Sequence, residues 1–192
     1  MLKANPCTTP ACSTTILTKD AHGPNMVGKW NYRSVIGMLN YLANTTHPEL
    51  AYAVHQCARF CNNPRRSHES SVKNILKYLL HVSANDPYNQ GLIYKPDHTK
   101  GVEVYVDAGF ASAWDSEDSD EPTSVVSRLR YVIKYANCPL IWASKLQTEV
   151  TLSTTEAEYV ALSQAMRKAI PLTQLLDELR TILPLPPLHT QG

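Results

Sequence analysis

The chain has 192 residues, 43% of them hydrophobic and 18% charged, and a formal net charge of +1. That is enough apolar material for one ordinary domain or two small ones, and too little positive charge to hold a duplex by bulk charge alone. Five cysteines at irregular spacings (Cys7, Cys12, Cys57, Cys61 and Cys138) argue against a disulfide framework, while no apolar signal segment or membrane-length run is present. The expectation is an intracellular protein, cytoplasmic or nuclear, with no membrane contact.

Residues 1–29 are rich in Thr, Ser, Pro, Gly and Asn without periodicity and read as a flexible, loosely held leader. From Trp30 the spacing turns helical. Ile36, Leu39, Tyr41, Leu42 and Ala43 crowd one side of a first helix that fades at Asn44-Thr45-Thr46. Pro48 suits the first turn of a second helix, where its missing N–H costs nothing, with Thr46 as the expected N-cap. Leu50, Ala53, Val54, Cys57, Ala58 and Cys61 recur there at helical spacing until Asn62-Asn63-Pro64. A third helix is expected after Ser67, with Ser67 and Ser70 as caps, Val72, Ile75, Leu76, Leu79 and Leu80 on one face, and Asn85-Asp86-Pro87 as its end.

Beyond residue 90 the period changes. Gly91-Leu92-Ile93-Tyr94 reads as a short strand, and Val102, Val104 and Val106 alternating with Glu103, Tyr105 and Asp107 predict a second. Residues 115–124 form an acidic loop. Segments 130–135 and 140–144 read as two further strands, joined by a tight turn at Asn137-Cys138-Pro139. Ser153 and Glu156 make a capping box that opens a long helix. Its apolar stripe runs Ala157, Val160, Ala161, Ala165, Ala169, Leu172, Leu175, Leu176 and Leu179, with Pro171 expected to kink or interrupt it. The fold class is therefore α+β: a helical segment over 30–90, a strand-and-helix unit over 91–181 and a Pro-rich tail over 182–192.

Two carboxylates stand where chemistry would need them. Asp107 ends the valine strand and Glu158 sits in the first turns of the long helix, and a helix packed on a sheet could bring them together. Converging carboxylates are what a two-metal nuclease uses, since hard cations such as Mg²⁺ take oxygen ligands. The bland alternatives are a turn-forming Asp and a Glu paired with the helix dipole. Arg59, Arg65, Arg66, Lys73 and Lys77 cluster on the second and third helices, either as phosphate contacts or as a solvated face. Cys57 and Cys61 lie one helical turn apart near His47 and His55, but they suit a buried apolar stripe better than a zinc site. Trp142 and Tyr159 read as core aromatics between sheet and helix, and Trp114 as a shield near Asp107 or a base-stacking surface.

VEVYVDAGFASAW resembles the first-strand motif of the RNase H domain in copia-type retrotransposon Pol polyproteins, and LSTTEAEYVALSQA resembles its first-helix motif. PLIWASKLQTEVTLS fills the interval as that family does. Upstream, the segment from Trp30 to Leu79 is similar to the helical thumb and connection of the same polyproteins, so the likeness runs from about Trp30 to Leu179. The resemblance implies the end of a reverse transcriptase followed by the first half of an RNase H-like unit, of three antiparallel strands and one long helix. The palm and fingers with the polymerase aspartates would lie upstream.

Asp107 then matches the family's first metal-binding Asp and Glu158 its catalytic Glu, with Mg²⁺ as the cofactor and an RNA–DNA hybrid as the partner. The family needs two further carboxylates, and nothing in this chain corresponds to them. Asp177 and Glu178 lie about 30 Å along the helix from its start at 1.5 Å per residue, too far to substitute. The sequence departs from the family twice more: Gly109 stands where a second Asp is common, and Leu129-Arg130 replaces a Thr-Gly pair. The resemblance therefore implies a worn copy that does not cut by itself, or a binding module that holds hybrid without cleaving it.

Overall fold

A computed structural model of the chain describes residues 7–11, 17–85, 91–111 and 124–183. The acidic loop up to residue 123, Trp114, Cys12 and the tail beyond Leu183 lie outside the described residues. The chain divides into two compact units, Met1–Ile93 with Ala113–Ser124 and Tyr94–Ser112 with Val125–Gly192. The architecture is α+β, with four α-helices and a three-stranded antiparallel sheet among the described residues.

In the first unit, α1 (Tyr32–Thr45) buries Tyr32, Ile36, Leu39 and Ala43, spaced four, three and four apart. Asn31 caps it by accepting from the Ser34 N–H at 3.0 Å. Tyr41 does not join this stripe and is 70% exposed. It stands two residues from Leu39, about 200° around the helix. Thr46 does not cap the next helix either: its own N–H closes α1 on the Leu42 carbonyl, and His47 precedes a 3₁₀ turn (Pro48–Leu50). That turn leads into α2 (Ala51–Ala58), whose Val54 and Cys57 are buried against Leu50, Val72 and Ile75. Burial pushes the Cys57 thiol up to about 12.

The third helix, α3 (Arg66–Asn85), begins earlier than the serines suggest. The Arg65 N–H donates to His68 Nδ1 at 2.9 Å, so a ring one turn in reaches back to the residue before the helix, as the Glu of a capping box does. Ser67 lies inside the first turn and donates to Asp20 at 2.6 Å. Leu80, placed on the apolar face by the sequence, is 43% exposed. Between Leu17 and Gly28 the leader is fastened rather than loose. Arg65 reaches the carbonyls of Ala21 and Gly23 and the Asn25 side chain, Glu69 accepts from the Val27 N–H, and Leu17 and Met26 pack on the helical core.

The second unit carries the sheet. Strand β1 (Val102–Gly109) pairs antiparallel with β2 (Arg128–Tyr135), which pairs with β3 (Cys138–Leu146), so β1 and β3 are its edges. The β2–β3 turn is not at Asn137-Cys138-Pro139. Ala136 and Asn137 both take positive φ, 50° and 63°, which makes a two-residue hairpin loop whose twist matches the strands. Cys138 and Pro139 then fall within β3, where an edge position and a register irregularity accommodate the missing N–H. Gly91–Tyr94 forms no strand: it has no ladder partner among the described residues.

Val102, Val104, Val106 and Ala108 of β1 and Leu129, Tyr131 and Ile133 of β2 face α4 (Thr154–Ile182). The helix meets them with Ala161, Ala165 and Ala169, a row of small residues that lets backbone and sheet approach closely. Pro171 does not interrupt α4, which continues as one helix to Ile182. Proline removes a single i to i−4 bond, and twenty-eight neighbours hold the conformation around it. The far end of the predicted stripe is not core: Leu175 is 51% and Leu179 36% exposed. Tyr159 is 70% exposed, and Trp142, opposite Val132, lies on the sheet face turned away from the alanine row, so neither is wedged between sheet and helix.

Candidate active site

The local sequence sets both acids in place. In β1 the valines turn toward α4, so strict alternation sends Glu103, Tyr105 and Asp107 to the other face. On α4 the Ser153 hydroxyl accepts from the Glu156 N–H at 3.1 Å. The Glu156 carboxylate reaches back to the Leu152 N–H at 2.7 Å. The capping box thus uses up Glu156 and leaves Glu158 exposed, two residues further on.

Three side chains that the sequence did not single out fix the start of α4 against the sheet. The wholly buried Ser127 hydroxyl accepts from the Ala111 N–H just after β1 and shares a 2.7 Å bond with the Thr151 hydroxyl just before α4. Gln147 Nε2 donates to the Ala157 carbonyl at 2.8 Å. The result is an open pocket of about 360 Å³ at the β1 edge. Val106, Asp107 and Ala108 line it from the strand, and Thr155, Glu158, Tyr159 and Leu162 from the helix. Asp107 and Glu158 are therefore brought to one cavity.

A cation meets Asp107. Arg130 lies directly across from Asp107 in the β1–β2 register, and its Nη1 donates to Asp107 Oδ2 at 2.6 Å. The sequence showed Arg130 only as a missing glycine; the register shows it as the acid's partner. Gly109, where a second acid is common, faces the fully buried Arg128. Two carboxylates, one of them held by a guanidinium, do not fit a pair of Mg²⁺ ions, each of which takes near-octahedral oxygen coordination. Among the described residues no three His, Cys, Asp or Glu side chains converge as a metal site.

The five predicted phosphate contacts, all in the helical unit, divide. Arg59 donates to Gln56 and lies over the Phe60 ring at 5.2 Å, Arg65 holds the leader, and Lys73 pairs with the buried Glu69. Arg66 is exposed and Lys77 half-buried, and neither side chain makes a hydrogen bond or ion pair with the described residues, although the Arg66 backbone N–H donates to the Pro24 carbonyl at 3.0 Å. No helix among the described residues is long and apolar enough to cross a membrane.

Comparison with known proteins places this chain among transposon polyproteins. The Retrovirus-related Pol polyprotein from transposon RE1 of Arabidopsis thaliana is 33% identical over 187 residues, which is 97% of this chain and 12% of that polyprotein. The corresponding protein from transposon TNT 1-94 of Nicotiana tabacum is 32% identical over 191 residues, 93% of this chain and 13% of its own length. A third relative, the Secreted RxLR effector protein 161 of Plasmopara viticola, is 34% identical over 142 residues, 74% of this chain and 91% of its own. No protein-family model and no solved structure matches. The chain belongs to the copia-type retrovirus-related Pol polyproteins of transposons. It spans only 12 to 13% of the length of the first Pol polyproteins it matches.

Proposed function

We propose that this chain is the thumb-to-RNase H portion of a retrotransposon polyprotein and acts inside the cell, in the cytoplasm or nucleus. Its strand-and-helix unit is the first half of a nuclease that, when complete, degrades RNA in RNA–DNA hybrids with Mg²⁺. By itself it is inactive. The observation that carries this reading is the single pocket lined by both Asp107 and Glu158, at the two positions the family motifs assign to acids. The same pocket supports inactivity: two carboxylates supply half of the expected charge, and Arg130 offsets one of them. The test is cleavage of a labelled RNA–DNA hybrid in Mg²⁺ and in Mn²⁺, with Asp107→Asn as control. No cleavage above that control is expected, and metal-dependent cleavage that disappears in the variant would overturn the assignment of inactivity.

The alternative is a module that binds hybrid without cutting it, and Arg66 and Lys77 on α3 favour it. With only these two of the five predicted cations uncommitted among the described residues, the logarithm of the binding constant should fall with the logarithm of salt at a slope of about −2. A slope near zero would remove the phosphate-contact reading, and one near −5 would mean that the three engaged cations also touch the duplex.

A further inference from the structure

We propose that Arg130 is the standing counter-cation of Asp107 and keeps divalent ions out of the pocket at the β1 edge, an inference that rests on reading Asp107 and Glu158 as the acids of that site. The geometry is specific. Asp107 and Arg130 are register partners on adjacent antiparallel strands, so their side chains leave the same sheet face side by side, and the Nη1–Oδ2 contact is 2.6 Å. The guanidinium thus engages one of the two carboxylate oxygens that Asp107 could offer a metal ion. Arg130 is not isolated in this role, since alternation puts Arg128, Arg130 and Lys134 of β2 on one face, opposite Gly109, Asp107 and Glu103 of β1.

The balance of charge points the same way. Asp107 and Glu158 alone would present −2 to the pocket, enough to neutralise one divalent ion. Arg130 pairs with Asp107 and offsets its charge, so the net falls to −1, and an ion at Asp107 would stand within a few ångströms of a fixed positive charge. The ion pair itself is no lock: Asp107 is 63% and Arg130 42% exposed, and pairs so open to water hold only weakly. Exclusion comes from the guanidinium's charge and place rather than from the strength of its bond.

The experiment is Mn²⁺ binding to the full chain, followed by water-proton relaxation and by electron paramagnetic resonance of free Mn²⁺. The unmodified chain, Arg130→Ala, Arg130→Lys, and Arg130→Ala combined with Asp107→Asn are compared, with circular dichroism confirming that each is folded. Arg130→Ala is expected to bind one Mn²⁺ at least about tenfold more tightly than the unmodified chain, as removal of a neighbouring unit charge implies. Arg130→Lys, which keeps the charge, should stay with the unmodified chain, and the double variant should lose the gain. If the unmodified chain binds Mn²⁺ as well as Arg130→Ala does, and Asp107→Asn, made both alone and with Arg130→Ala, abolishes that binding, the counter-cation role is overturned while the acid site stands. If neither binds, there is no latent cation site to protect, and the metal-site reading falls with the proposal.

Discussion

His68 Nε2 donates to the carbonyl oxygen of Thr18, fifty residues away in sequence, at 2.8 Å, while His68 Nδ1 accepts from the Arg65 N–H at 2.9 Å. Together the two bonds define one neutral tautomer, with the proton on Nε2. The ring is fully buried and stacks flat on Phe60, their centroids 4.1 Å apart. Protonating Nδ1 would set a donor against a donor. Burial holds the ring below its ordinary 6.5, outweighing the Thr18 carbonyl that favours the charged form. Beside it the Glu69 carboxyl is held below its ordinary 4.5, chiefly by Lys73 and then by the Val27 N–H. These two side chains fasten the leader to α3.

The sign of the pH effect follows from linkage. A histidine whose folded pKa is lowered leaves the unfolded chain binding more protons, so its contribution is full above about 6.5 and is lost as pH falls through the folded value. Glu69 acts in the same direction at lower pH, its contribution present above 4.5 and lost below. Amide exchange at residues 17–28 should therefore accelerate, relative to α1, as pH is lowered from 7 toward 5. In His68→Gln, whose amide can still donate toward Thr18 but does not titrate, that acceleration should flatten. An unchanged pH profile in the variant would show that His68 is not the sensor.

Glu69→Gln should destabilise the helical unit by about 1–2 kcal/mol, the usual range for losing a charged hydrogen-bond partner. The larger loss expected for a stranded buried charge does not apply, because Lys73 is 43% exposed and can turn to water. Urea unfolding with an unchanged m-value is the measurement. A loss below about 0.5 kcal/mol would mean that the Val27 N–H bond, which glutamine can keep, carries the contact.

How much of this could be read from the sequence depends on whether the signal was periodic. The β1 alternation, the capping box at Ser153 and the helical stripe over α2 were legible because burial and hydrogen bonding repeat with the backbone. The clasp on the leader was not, since several of its acceptors are the backbone carbonyls of Thr18, Ala21 and Gly23, which no residue type announces. The Ala136-Asn137 turn was missed because a positive φ at alanine runs against propensity. At the site, Asp107 and Glu158 came from motifs, but that Arg130 meets Asp107 required the strand register. Without the register, a lost glycine and a gained counter-charge look alike.

Ala165→Leu should cost about 1–3 kcal/mol or more, the usual penalty for forcing extra methylenes into a filled core. Ala165 is fully buried in the middle of the row by which α4 meets Leu129, Tyr131 and Ile133. The added bulk would lift the helix from the sheet, whereas Leu175→Ala, at a 51% exposed position on the same helix, should change stability by less than about 0.5 kcal/mol. Equal effects at the two sites, read by thermal melting, would contradict the alanine row as the packing seam.

Pro171→Ala tests whether α4 is carrying a local cost. The helix is continuous from Thr154 to Ile182, so the Arg167 carbonyl lacks the N–H that residue 171 would otherwise supply. Alanine restores that donor and is about 3 kcal/mol better than proline inside an unadapted helix. Two effects reduce the gain. The helix has already relaxed around the ring, and alanine frees the unfolded chain at a cost of about 0.4–1 kcal/mol. A net stabilisation of about 1–2 kcal/mol is expected on these grounds, with a higher melting temperature and more helical signal. If the variant were instead less stable, the proline ring would have to be making a contact that the alanine methyl cannot replace.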